Sequence, residues 1–125
     1  MPNVLIIEDR PDIRLVLRRQ LEPAGYEVRE AEDGVQGLKE YEAQPADVVV
    51  VDLFMPVKDG LETIRDLRRF DPGAKIVAIS GGGSHTNVGM LQAAMHMGAA
   101  KALLKPIRRE ELLSTISEVL APAQP

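Results

Sequence analysis

The chain contains no cysteine and no tryptophan, and its only rings beyond two histidines are two tyrosines and two phenylalanines. Without thiols there is no disulfide framework, no thiolate zinc site and no cysteine nucleophile. Positive charge is in deficit, 15 basic against 19 acidic side chains for a net charge of −4, so direct nucleic-acid binding is not expected. No apolar run approaches the ~20 residues that span a bilayer, so no membrane contact is expected. Met1-Pro2-Asn3 is not a basic stretch leading into an apolar one, which gives no secretory signal and an expected cytoplasmic location. What the chain does have is 45% hydrophobic and 27% charged residues over 125 positions, the composition and length of one folded domain with a genuine core.

Apolar spacing divides the chain into alternating strands and helices. Val4-Leu5-Ile6-Ile7 is a short β-rich run ended by Glu8-Asp9. Pro11 then opens a helix whose apolar positions are Ile13, Val16, Leu17, Leu21 and Ala24, with Gly25 as its stop. Tyr26 to Ala31 alternates apolar and polar residues, the pattern of a half-exposed edge strand. Val35, Leu38 and Tyr41 mark a second helix. Val48-Val49-Val50-Val51 is uninterruptedly β-branched, as a strand covered on both faces must be. It runs into Asp52 and a loop punctuated by Pro56 and Gly60, after which Leu61, Ile64 and Leu67 give a third helix stripe. Ile76–Ile79, a Met- and Ala-rich helix from about Asn87 to Met97, a strand from Ala99 to Leu104 and a helix with Leu112, Leu113, Ile116, Val119 and Leu120 inward complete the pattern.

Five strand–helix alternations predict an α/β domain, a doubly wound parallel sheet over residues 1–121, with 122–125 a tail or linker stub. With the alternating strand at an edge and the all-valine strand central, the expected order is 2-1-3-4-5, that of flavodoxin-like (βα)5 folds. In such sheets ligands bind beyond the carboxyl ends of the strands. There the sequence delivers Glu8 and Asp9, then Asp52, Ser80 and Lys105. Clustered carboxylates repel and call for a proton or a cation. Oxygen ligands without histidine or cysteine suit a hard cation, with Mg²⁺ the usual solution. A cation, an ammonium and a hydroxyl around a carboxylate suit phosphoryl transfer, and Asp52, alone at the end of the central strand, is the expected nucleophile.

From about Asn3 to Leu120 the chain resembles a response-regulator receiver domain of two-component signalling, of the chemotaxis-receiver kind. The resemblance is carried by Glu8-Asp9, Asp52-Leu53-Phe54-Met55-Pro56, Asp59-Gly60, Ser80-Gly81 and Lys105-Pro106, each at its strand end and in order. It implies that Asp52 accepts a phosphoryl group from a phosphohistidine of a sensor histidine kinase or phosphotransfer protein. Asp9, Asp52 and the backbone carbonyl of Phe54 would ligate Mg²⁺, with Glu8 acting through water. Ser80 and Lys105 would bind phosphoryl oxygens, Gly81 would keep the site open, and Pro106 would follow a cis peptide bond. A downstream protein would dock on the face made by helix 4, strand 5 and helix 5, the protein being a monomer or a phosphorylation-dependent dimer. Phe54 is also expected to shield the acyl phosphate from water.

One position departs from the family pattern. Receivers usually carry Tyr or Phe three residues before the Lys-Pro pair, and this chain has Ala102. The expectation is that signalling works instead through the glycine-rich segment Ser80–His85 and the helix after it.

Other readings carry less of the sequence. Glu8 and Asp9 could serve only as helix caps and Asp52 as a turn former, while Asp59-Gly60 reads as a turn and helix start. Ser80-Gly81-Gly82-Gly83 lacks the Lys-Ser/Thr ending of a P-loop and is not a Gly-x-Ser-x-Gly elbow. His85 and His96 read as solvated. An aspartate-nucleophile phosphatase would need a pocket that 125 residues leave no room for, so only self-catalysed acceptance and hydrolysis are expected. A flavin carrier would not place Glu8-Asp9 in its phosphate loop. A receiver-fold module that signals without phosphorylation is the alternative that Ala102 keeps open.

Overall fold

The structure is a computed structural model and describes residues 1–55, 57–81 and 88–121. Its elements follow in the order β1 (Asn3–Ile7), α1 (Pro11–Leu21), β2 (Glu27–Ala31), α2 (Gly34–Ala43), β3 (Val48–Asp52), α3 (Gly60–Phe70), β4 (Ile76–Ser80), α4 (Val88–Met97), β5 (Lys101–Leu104) and α5 (Arg109–Leu120). All strand pairings are parallel, in the order β2-β1-β3-β4-β5. This is the expected flavodoxin-like α/β sheet. The chain steps one way from β1 to β2 and the other way from β3 onward, so β1 and β3 flank the topological switch point.

Both faces of the sheet are covered, which is why its central strands carry no polar alternation. Leu5, Ile7, Val49, Val51, Ile76 and Ala78 pack on one side with Tyr41 of α2, Ile64 and Leu67 of α3 and Ala94 of α4. Val4, Ile6, Val48, Val50, Val77, Ile79 and Leu103 pack on the other with Leu17 and Leu21 of α1 and Leu112 and Ile116 of α5. Period-2 side-chain direction sends successive residues to opposite cores, so every residue of β1, β3 and β4 is buried.

The expected segments differ from the observed ones chiefly at their ends. The helix stripe through Val16 and Ala24 does not hold. Val16 is 47% exposed, and Ala24 lies in a separate 3-10 turn, Glu22–Ala24, because Pro23 supplies no N–H to continue the α-helix. Gly25 closes that turn at φ +98°, a left-handed conformation natural to glycine. Tyr26 precedes β2, its N–H donating to the Leu21 carbonyl. Ala99 and Ala100 precede β5, since the Ala99 N–H closes α4 on Ala94. Leu113, Val119 and Leu120 of α5 are partly buried against the second core, as expected. The residues Pro56, Gly82 to Asn87 and the 122–125 tail lie outside those described.

Candidate functional site

The sheet register builds the site. Ile7 pairs with Val51, so Glu8 stands level with Asp52, and Ser80 pairs with Leu104, one residue before Lys105. The Lys105 N–H donates to the Ser80 carbonyl at 2.7 Å, which anchors the β5 end beside β4. Each side chain is thus carried to the rim by the last hydrogen bonds of a parallel ladder.

Glu8 is fully buried, Asp52 2% exposed and Asp9 half-buried. Carboxylate oxygens of these three residues lie within 4.8 Å of one another. Lys105 reaches between two of them: its Nζ is 3.1 Å from Glu8 Oε2 and 3.5 Å from Asp52 Oδ1. At 4.8 Å each carboxylate pair repels by about 3 kcal/mol at an effective dielectric of ~20, and three carboxylates against one ammonium leave the ionised cluster with an excess of negative charge. Burial, followed by the charge of Asp52, pushes the Glu8 carboxyl up to about 7, against the pull of Lys105. Burial also raises Asp52, opposed by Lys105 and by the Phe54 N–H, which donates to Asp52 Oδ1 at 3.4 Å. Ser80 is buried, and its Oγ has no hydrogen-bond partner among the described residues. The Lys105–Pro106 peptide is cis.

Glu8, Asp9, Asp52 and Lys105 therefore meet at one rim, the rim at which β4 ends with Ser80, and Phe54 stands beside Asp52, half-exposed at 47%. An all-oxygen donor set with an excess of negative charge is what Mg²⁺ takes, usually with several waters retained, and the cluster fits that ion. Ala102 lies away from the rim, paired with Ala78 and packed against the core that α2, α3 and α4 cover. His96 is exposed, whereas His85 lies outside the described residues.

Two residues at the site go beyond what the sequence points to. As a sequence Asp59-Gly60 marks only a turn and helix start, and Asp59 does cap α3, accepting from the Glu62 N–H at 2.8 Å. But a Cβ on Gly60 would sit 2.3 Å from the Asp52 carbonyl oxygen and 2.5 Å from Leu53 Cα. The first turn of α3 packs directly on the strand end that bears Asp52, and only glycine permits it. The Asp-Gly pair held that signal. Arg14, whose Nη1 donates to the Glu8 carbonyl at 2.7 Å, had none: a charged residue on an amphipathic helix looks the same wherever it points.

Comparison with known proteins agrees with this geometry. The family model described as response regulator receiver domain matches residues 4–117. The chain is 32% identical over 121 residues to the Bacillus subtilis protein CcdB, covering 96% of this chain and 98% of that one. It is 32% identical to the chemotaxis protein CheY of Halobacterium salinarum, covering 94% and 96%. The solved structure of Vibrio cholerae chemotaxis protein CheY4 superposes with a TM-score of 0.87 at 32% identity, covering 96% of this chain and 99% of that one. With that similarity running through nearly its whole length, the chain belongs to the response-regulator receiver domain family.

Proposed function

We propose that this receiver accepts a phosphoryl group on Asp52 from a phosphohistidine of a sensor histidine kinase or phosphotransfer protein, in a Mg²⁺-dependent reaction. The observation that carries the reading is the meeting of three carboxylates within 4.8 Å beside the Lys105 ammonium at the switch point of the sheet. Asp9, Asp52 and the Phe54 carbonyl would hold the ion, with Glu8 behind them. Bound there, Mg²⁺ supplies charge neutralisation for the phosphoryl oxygens.

The chain's own groups do the rest. An Asp52 carboxylate oxygen forms the new O–P bond as the P–N bond to the donor imidazole breaks, and the imidazole leaves with a proton from solvent. Lys105, now shared between Glu8 and Asp52, turns its ammonium to a phosphoryl oxygen. The Ser80 hydroxyl, buried without a partner among the described residues, donates to another. Phe54 lies over the acyl phosphate and limits access of water. The same groups make slow hydrolysis of the chain's own acyl phosphate the only turnover.

The output is a change in affinity for a downstream protein. Met95 and Met97 of α4 are 45% and 39% exposed, and Leu104 of β5 is 44% exposed, adaptable apolar side chains on two of the three elements, α4, β5 and α5, whose face would meet the partner. Because Ala102 offers no ring to turn inward, the relay runs through the segment after Ser80 and through α4. The test is incubation with a small phosphodonor and Mg²⁺ followed by intact mass. A gain of one phosphoryl group in the wild type and none in Asp52→Asn is expected; equal labelling of both would remove Asp52 as acceptor.

A further inference from the structure

We propose that Arg14 is a positioning residue for the carboxylate cluster, fixing the backbone from which Glu8 and Asp9 project. The inference rests on the reading of that cluster as a Mg²⁺ site and adds a residue outside it. Arg14 lies on α1, one turn past Pro11, and is half-buried. Its Nη1 donates to the Glu8 carbonyl at 2.7 Å while its Nε donates to Glu30 Oε1 at 3.0 Å. On the other side of the same residue, the Glu8 N–H donates to the Ala31 carbonyl at 3.1 Å. Both backbone polar groups of Glu8 are therefore held, one by the end of β2 and one by a guanidinium braced on β2. With both adjoining peptides restrained, the direction in which the Glu8 side chain leaves the backbone is set, and its carboxylate is held further by the Arg10 N–H at 3.3 Å and by Lys105 at 3.1 Å.

The brace is itself braced. The second oxygen of Glu30 accepts from Arg18 Nε at 2.8 Å, and Arg18 Nη1 pairs with Glu22 at 3.0 Å. A line of alternating charges, Glu22–Arg18–Glu30–Arg14, thus ends on the carbonyl next to the cluster. A planar fork reaches two acceptors at fixed angles, which an ammonium does not. Asp9 shares the braced peptide directly, since its N–H belongs to the same peptide group as the Glu8 carbonyl that Arg14 holds, and its carboxylate lies within 4.8 Å of those of Glu8 and Asp52. Mg²⁺ demands near-ideal octahedral geometry, so a small rotation of the Glu8–Asp9 peptide costs affinity.

The experiment is calorimetric titration of Mg²⁺ into the full chain, with the urea midpoint of each variant recorded in chelator. Arg14→Gln is expected to weaken Mg²⁺ binding about tenfold or more, the usual scale for groups that orient ligands. Arg14→Lys, which keeps one donor for the Glu8 carbonyl, should recover part of that loss, and Glu30→Gln should lose less than Arg14→Gln. The exposed Arg19→Gln should match the wild type. A folded Arg14→Gln that binds Mg²⁺ within about twofold of the wild type would overturn the proposal even if its urea midpoint fell. Should Arg14→Gln not fold, unchanged affinity in both Arg14→Lys and Glu30→Gln overturns it equally. No binding by the wild type would instead overturn the Mg²⁺ reading on which it stands.

Discussion

Lys105 Nζ stands 3.1 Å from Glu8 and 3.5 Å from Asp52, so one ammonium serves two buried carboxylates. Removing it by Lys105→Met leaves both acids in a low-dielectric site without their cation. Glu8 then stays protonated to a higher pH than its present value of about 7 rather than remaining as a bare buried charge. The fold survives, but phosphoryl acceptance loses a preorganised positive group, for which about 10²-fold in rate is the ordinary scale. Phosphodonor labelling followed by mass gives that rate. Labelling at the wild-type rate would mean that Lys105 is not aimed at the transferred group.

The raised carboxyls also set a pH dependence of stability. In the unfolded chain Glu8 ionises at its ordinary 4.5, whereas in the folded chain without metal it holds its proton to about 7. Across that window the folded state binds the extra proton, so rising pH lowers stability, with the full loss reached above 7 and amounting to at most about 3 kcal/mol. Asp52, also raised, acts in the same sense. Asp66 and Asp71 are held below the carboxylate range by Lys58 and Tyr41, so their opposite contribution falls at lower pH. Urea midpoints in chelator should therefore fall between about pH 5 and about pH 8, and Glu8→Gln should flatten the trend. Adding Mg²⁺ should reverse it, since the ion favours the ionised cluster. A midpoint that climbs with pH in chelator would contradict the burial of these groups.

Gly60→Ala tests the contact that brings α3 onto the nucleophile's strand. The new Cβ would meet the Asp52 carbonyl and Leu53 Cα, both backbone atoms with no rotamer to move to. Overpacking of this kind costs about 1–3 kcal/mol, and here the relief is a displacement of Asp52 itself. Gly73→Ala is the control, because its Cβ would meet only the Asp71 side chain at 3.4 Å. A clear drop in urea midpoint for Gly60→Ala and near-neutrality for Gly73→Ala is expected. Equal midpoints would show that α3 can shift without cost.

The sheet order was readable because burial on two faces leaves a plain mark: four successive valines in β3, and polar alternation in β2. The site was readable for a related reason. Strand ends of a parallel sheet converge, so Glu8, Asp9, Asp52, Ser80 and Lys105 could be placed together from their positions alone. What escaped the sequence depends on side-chain direction or on atoms that are missing. Val16 fits the apolar stripe of α1 yet faces solvent, since a five-position pattern cannot tell the rim of a helix face from its centre. Arg14 is one of many arginines until its reach to the Glu8 carbonyl is seen. Gly60 matters for the Cβ it lacks.

Val57 offers the last test, in the loop between Asp52 and α3. It is 89% exposed and has φ +71°, a left-handed conformation that a β-branched residue adopts only under constraint. The constraint is visible on its C-terminal side, where Lys58 pairs with Asp66 and Asp59 caps α3. Those contacts fix the path of the loop, and Val57 takes the dihedral that is left, at about 1–2 kcal/mol. Val57→Asn keeps a side chain, tolerates that dihedral and gives up almost no buried area. It should raise stability by about 1 kcal/mol, seen as a higher urea midpoint with an unchanged slope. Val57→Gly should gain less, because glycine also frees the unfolded chain. If both variants were destabilised, the loop would not be holding Val57 against its preference, and the strain would have to be assigned elsewhere.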